Sequence, residues 1–226
     1  MDELEILAAM DRAEARLAAG RNLKGSGFWR VVDYLRSHPE DARRYARRAA
    51  RIDRAAFEQG VRLRVPEAIG TSVLALGTLA GVAAIVISAS IGDSTVRTLM
   101  FLGSVGTLLI TTHSLTHWIV GRMMGIRFTH FFLGGPPPPR PGAKMDYDSY
   151  LLVSPKRRAV MHASGAVVTK IIPFAMLPVA ASLGVESWAS YGLIVVGVGQ
   201  IITDVLFSTK TSDWKKVKRE MKAARA

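Results

Sequence analysis

The chain has 226 residues, a formal net charge of +12 and a hydrophobic fraction of 49%. It contains no cysteine, which excludes disulfides and thiolate metal sites, so any metal ion must bind to nitrogen and oxygen ligands. The positive charge is accompanied by no nucleic-acid-binding motif, and we expect no nucleic-acid partner. The acidic start, Met1 to Glu5, does not resemble a secretory signal, so the first membrane segment is expected to direct insertion.

Residues 1–65 are predicted to form a cytosolic helical region. An amphipathic run covers 2–19, and a second run begins at Pro39 and continues to about Gln59. In the second run, arginines spaced three and four apart gather on one helix face, where they either contact anionic lipid or remain solvated. These arginines are Arg43, Arg44, Arg47, Arg48, Arg51 and Arg54.

Four apolar segments follow, at about 66–91, 98–121, 159–183 and 187–209. Each is long enough to cross a bilayer, which takes ~20 apolar residues. The predicted fold class is therefore an all-α polytopic membrane protein, with four transmembrane helices in a domain over 66–209. A soluble four-helix core is the alternative, but a domain of this size rarely contains four segments that are apolar all round.

The connecting segments set the predicted orientation. Of the 30 lysines and arginines, 28 lie in residues 1–65, in the polar loop 122–158 or in the tail from 208 onward. An even number of spans puts these three regions on one side, which the positive-inside rule makes cytoplasmic. We therefore expect an integral protein of a prokaryotic-type inner membrane with cytoplasmic termini. Its basic tail, 210–226, is predicted to begin a helix near Ser212 and to contact anionic lipids of the inner leaflet.

Two histidines stand out in the second apolar segment. His113 and His117 share one helix face, so their ring nitrogens can converge on one metal ion. Counting depth along alternating spans places Asp204 of the fourth segment at a similar level, which completes the ligand set of a catalytic zinc site. The alternative is that the histidines bond to neighbouring helices while Asp204 pairs with Lys170 of the third segment.

These residues resemble the site-2 protease family of intramembrane zinc metalloproteases over about 96–215. That family has His-Glu-x-x-His on one membrane helix, a Gly-Pro-x-x-Asn type motif on the next, and a metal-binding Asp on a third. Here the three motifs fall on His113 to His117, Gly165 to Thr169, and Asp204. The resemblance implies Zn²⁺ as cofactor and hydrolysis of membrane-embedded peptide segments near the cytoplasmic face. It assigns substrate binding to Gly165 and Thr169 and predicts short β-strands in 122–158 whose edge pairs with unwound substrate. Lys170 is a further candidate for substrate binding because its position in the third segment places an ammonium group near mid-membrane.

The chain also departs from the family motifs. Ser114 stands where the family has its catalytic glutamate, and a serine hydroxyl cannot act unaided as the general base. Ala166, Thr169 and Val205 replace the family's proline, asparagine and glycine. The resemblance therefore leaves two functions open: a protease with a relocated base, or an inactive pseudoprotease that binds and regulates transmembrane proteins. A metal transporter is a third hypothesis, although the outer halves of the segments offer few polar groups.

A relocated base would have to come from elsewhere in the chain. His162 lies at the depth of the predicted metal ion, three residues before Gly165, and is a candidate base, fourth ligand or structural residue. Three carboxylates are weaker candidates because nothing in the sequence fixes their positions: Glu67, Asp146 and Asp148.

Overall fold

The structure, a computed structural model, describes residues 1–134, 140–206 and 212–225, without the side chains of Arg140 and Val205. In chain order the elements are α1 (Glu3–Ala18), α2 (Phe28–Leu35), α3 (Pro39–Gly60), β1 (Leu63–Pro66), α4 (Glu67–Ser88), α5 (Ser94–Met123), β2 (Phe128–Gly134), β3 (Arg140–Met145), α6 (Tyr147–Tyr150), α7 (Pro155–Leu183), α8 (Ser187–Leu206) and α9 (Asp213–Ala223). The chain forms two compact units. The first comprises 1–67, 121–159 and 219–226, and the second comprises 68–120 and 160–218.

The helices of the first unit follow the amphipathic pattern of residues 1–65. The Asp2 side chain caps α1 by accepting a hydrogen bond from the Glu5 backbone N–H at 2.7 Å. Helices α1 and α3 form where helices were predicted, whereas α2 was not predicted because eight residues give a weak periodic signal. Arg48 of the arginine-rich face pairs with two carboxylates of α1, so this arginine joins two helices.

A small antiparallel sheet with strand order β1-β2-β3 also belongs to the first unit. Its β2–β3 hairpin, with Phe131 opposite Ala143, confirms that strands form in the loop 122–158. Strand β1 pairs with the other side of β2, with Leu63 opposite Leu133. The sequence did not predict β1, because four residues between a helix and an apolar segment carry no clear alternation.

A buried ion pair joins distant parts of the first unit. Arg158 at the start of α7 is 1% exposed and donates from Nε to Glu220 of α9 at 2.6 Å. Glu220 is 0% exposed and also accepts a hydrogen bond from the Tyr150 hydroxyl at 2.9 Å. Since Arg158 is buried and pairs with this carboxylate, loss of Glu220 would leave the Arg158 guanidinium charged and buried without its carboxylate partner.

Three helices among the described residues, α4, α5 and α7, are long and apolar enough to cross a membrane. Only 11% of the most apolar 18-residue stretch of α4 is buried, and such an apolar surface requires lipid or a partner to cover it. The predicted membrane class is thus supported. The fourth predicted segment forms α8, which is not one of these three helices, and its last residues, 207–209, lie outside the described part. The four-span count therefore stays a prediction.

The core of the second unit joins α5, α7 and α8. Its fully buried members are Phe101 and Val105 of α5, Ala180 of α7 and Leu193 of α8. This packing holds α8 beside the two longer helices, each of which contributes a residue to the candidate site described next.

Candidate metal centre

His113, His117 and Asp213 converge in the second unit. The two histidines lie one turn apart on α5, and their rings meet edge to face with centroids 4.8 Å apart. Asp213 is the first residue of α9, and its Oδ2 lies 3.3 Å from His113 Nε2 and 3.2 Å from His117 Nε2. Among the described residues this is the group whose ligand atoms all lie within 4.8 Å of one another.

The orientation of His117 is fixed by a backbone group of α7. His117 Nδ1 lies 2.7 Å from the Met161 carbonyl oxygen. A carbonyl can only accept, so Nδ1 must carry the hydrogen, and in a neutral imidazole Nε2 then presents a lone pair. This lone pair points at the Asp213 carboxylate, which also presents lone pairs. A positive species, either a proton or a metal cation, must therefore lie between them.

The two distances from Asp213 Oδ2 are close to the ligand separations around a small tetrahedral cation. Two ligand atoms bound at ~2.0–2.2 Å to a tetrahedral zinc ion are ~3.3–3.6 Å apart. The two distances from Asp213 Oδ2 to the imidazole nitrogens are 3.2 and 3.3 Å. Nitrogen and oxygen donors are also the ligands expected of a chain without cysteine. The residues present therefore fit zinc, with the Met161 carbonyl as the outer partner that orients His117.

The second oxygen of Asp213 has a separate partner. Lys216, one turn further along α9, donates from Nζ to Asp213 Oδ1 at 2.9 Å. Burial alone would raise the pKa of Asp213, but the hydrogen bonds of His113 and His117 and the charge of Lys216 outweigh it and hold this pKa well below its usual range. The carboxylate is thus anionic and presents Oδ2 to both imidazoles.

Gly165 of α7 lies directly against His117. A Cβ at this position would stand 2.5 Å from His117 Nε2 and 2.6 Å from the His113 carbonyl oxygen. Only a glycine at position 165 leaves room for the His117 imidazole this close to α7. Gly165 was predicted as a substrate-binding residue, and in the structure it contacts the imidazole itself.

Asp204, predicted as the third metal ligand, has other partners in the structure. It forms an ion pair with Lys170 and accepts a hydrogen bond from Trp214 Nε1 at 2.9 Å. This pairing with Lys170 is the alternative that the sequence left open. The structure brings Asp213, not Asp204, to the two histidines.

The remaining predicted site residues lie on α5 and α7. Ser114 follows His113 and is half-buried. His162 is buried at 3% exposure, one residue after Met161. The Thr169 hydroxyl donates within its own helix to the carbonyls of Gly165 and Ala166. None of these observations tests a catalytic or substrate-binding role, so these roles stay predictions.

The three weaker candidates for a base lie in the first unit and pair with arginines. Asp146 and Asp148 both contact Arg127, at 3.3 and 2.8 Å. Glu67 lies 4.0 Å from Arg122.

Sequence reasoning missed Asp213 because the residue lies outside the apolar segments. One signal was available. Asp213 and Glu220 are the sole carboxylates in the otherwise basic stretch 207–226. In the structure, both of these carboxylates contact a specific group of partner side chains.

No protein-family model, no curated protein and no solved structure matches this chain. The function must therefore be argued from the side chains that gather around His113 and His117.

Proposed function

We propose that this protein is an integral membrane zinc protein of the site-2 protease type, in which His113, His117 and Asp213 hold the ion. The observation that carries the proposal is the approach of one carboxylate oxygen to both imidazole Nε2 atoms, at 3.2 and 3.3 Å. Two imidazoles and one carboxylate leave a fourth position open, as in catalytic zinc sites. A bound zinc ion would supply a Lewis acid at this position.

The role that the residues support best is that of a pseudoprotease that binds and regulates membrane-embedded polypeptides. The family's catalytic glutamate is replaced by Ser114, and the one carboxylate in the described His113–His117–Asp213 group is itself a metal ligand. Without a general base, hydrolysis loses a factor of ~10²–10⁴. A client segment has a docking edge available, because all four residues of the edge strand β1 are exposed.

An active intramembrane protease is the second candidate. It is favoured by the accessibility of the site, since the His113 side chain is 37% exposed whereas His117 is 13% exposed. A reacting peptide can therefore approach from the His113 side. In this case the substrates are transmembrane segments cut near the cytoplasmic face.

The proposal includes four membrane spans, with α8 as the fourth. Apolar side chains of α8 are exposed, as expected of a helix in contact with lipid: Val195 is 70% and Leu206 68% exposed. With four spans, the basic regions share one side, and we propose that this side faces the cytoplasm of a prokaryotic-type inner membrane with anionic lipids.

Metal analysis of paired aspartate variants tests the zinc site. Protein purified in detergent should contain about one zinc ion per chain, as expected for a three-residue site. Asp213→Asn should lose this ion because the amide provides no anionic ligand. Asp204→Asn leaves Asp213 in place and should therefore still take up zinc, even if loss of the pairing with Lys170 weakens the binding. Wild-type protein that takes up no zinc would overturn the proposal. If Asp204→Asn loses zinc and Asp213→Asn retains it, the third ligand is Asp204 and not Asp213.

The Ser114→Glu variant separates the two candidate roles. If the protein is a pseudoprotease, wild type leaves a transmembrane test peptide intact, and the new carboxylate raises cleavage by about 10²–10⁴-fold. If wild type already cleaves the peptide in a zinc-dependent way, and Ser114→Glu adds nothing, the protein is an active protease with its base elsewhere. Ser182→Glu, at an exposed position near the far end of α7, is the control for adding a carboxylate to a membrane helix.

A further inference from the structure

A second cluster of polar side chains lies beside the metal centre in the second unit. Lys170 of α7 forms an ion pair with Asp204 of α8, and its Nζ also donates to the Ala166 carbonyl at 3.1 Å. Trp214 of α9 donates from Nε1 to the same Asp204 oxygen at 2.9 Å, and Lys170 Nζ lies 5.7 Å from the centre of the indole ring. We call Lys170, Asp204 and Trp214 the α9 latch.

The latch is a costly arrangement in an apolar helix. Lys170 lies within α7, one of the helices able to cross a membrane, and an ammonium group at such a position needs a partner. Its side chain is 18% exposed, and that of Asp204 is 34% exposed. An apolar residue would fill this position equally well, so the charge of Lys170 indicates a specific role.

This role follows from the position of Trp214 in the chain. Trp214 is the residue directly after Asp213, so the hydrogen bond to Asp204 fixes the first turn of α9. Helix α7 also places Gly165 and Met161 against His117. Lys170 lies on the same helix, five residues after Gly165. Helix α7 thus orients one histidine directly and orients Asp213 through Asp204 and Trp214.

We propose that docking of α9 assembles the metal site and that the α9 latch controls this docking, with Lys170, Asp204 and Trp214 as positioning residues. The inference rests on the proposed zinc site and adds its regulation. With the latch closed, Asp213 Oδ2 meets both imidazoles. With the latch open, α5 keeps His113 and His117 but lacks the anionic ligand, so the site becomes a weak two-histidine site.

Trp214→Phe is the principal test. Phenylalanine keeps an aromatic ring but removes the N–H that bonds to Asp204. Zinc affinity, measured by competition with a chromophoric chelator, should fall by about 10- to 100-fold, the usual effect of changing an outer partner of a metal site. The visible spectrum of Co²⁺-loaded protein should change as well, because it reports the ligand set and not the stability of the fold. Lys170→Met should give the same two effects, and Lys170→Arg should restore part of the affinity.

Trp188→Phe is the matched control. Trp188 belongs to the same unit and donates its indole N–H to Glu186, at a place remote in sequence from the site. This variant should bind zinc with wild-type affinity and give the wild-type cobalt spectrum. If Trp214→Phe and Lys170→Met also behave as wild type, while Asp213→Asn loses zinc, the latch does not position Asp213 and the inference is wrong. If wild type binds no zinc, the proposed function itself is wrong, which is a different result from wild-type behaviour of the latch variants.

Discussion

Replacement of Gly165 by alanine perturbs the candidate site most directly. The added Cβ would lie 2.5 Å from His117 Nε2 and 2.6 Å from the His113 carbonyl oxygen, where ordinary contacts begin at 3.4 Å. The carbonyl belongs to the backbone of α5 and cannot swing aside, and the His117 ring is held by the Met161 carbonyl. Either the ring leaves its position or the two helices move apart.

The magnitude follows from this overlap. Overfilling a packed site typically costs ~1–3 kcal/mol. If that cost falls on the geometry of His117, the dissociation constant of the proposed zinc site should rise about 5- to 150-fold, since ~1.4 kcal/mol corresponds to a factor of ten. Chelator competition measures this change, and a thermal melt of the same sample reports how much of the cost falls on folding.

Gly106→Ala provides the control. Gly106 lies on α5, and a Cβ there would meet nothing within 4 Å. This variant should bind zinc as tightly as wild type, and its thermal stability should not fall, because alanine favours a helix more than glycine does. Gly165→Ala protein that binds zinc as tightly as wild type and melts at the same temperature would refute the close packing of α7 against His117.

Two further predictions concern the first unit. Glu220→Gln should lower the free energy of unfolding by about 3–5 kcal/mol, because it leaves Arg158 charged and buried without a carboxylate. Denaturant unfolding measures this change, and Glu58→Gln, at an exposed position, is the control that should have no effect. Equal stability of the two variants would contradict the buried ion pair. The hydrogen bond from Arg48 lowers the pKa of Glu14 from its ordinary 4.5, so its stabilisation is complete above that pH and is lost as the pH falls through the lower folded-state value. The loss should be at most about 1 kcal/mol because the pair is accessible to solvent, and unfolding curves of Arg48→Gln should lack this pH dependence if the assignment is correct.

Several features of the fold could be predicted because they depend on neighbours in the chain. Amphipathic periodicity places α1 and α3, and long apolar runs place α4, α5 and α7 as helices able to cross a membrane. Local pattern is less informative for short elements. Strand β1 and helix α2 were missed, since β1 is defined by its pairing with β2 and α2 by burial of Phe28 and Val31 against other helices.

The candidate site, like the fold, could be predicted only in part. The sequence by itself determined that His113 and His117 share a helix face, because a spacing of four residues places two side chains one turn apart whatever surrounds the helix. It also determined that any metal ion would have to bind to nitrogen and oxygen ligands, because the chain has no cysteine. Which carboxylate approaches the histidines was decided by the tertiary structure alone. Asp204 and Asp213 both follow α5 by many residues, and the pairing of Asp204 with Lys170 and Trp214 leaves Asp213 to face the imidazoles. Such a choice depends on how separate helices pack, and no local spacing encodes it.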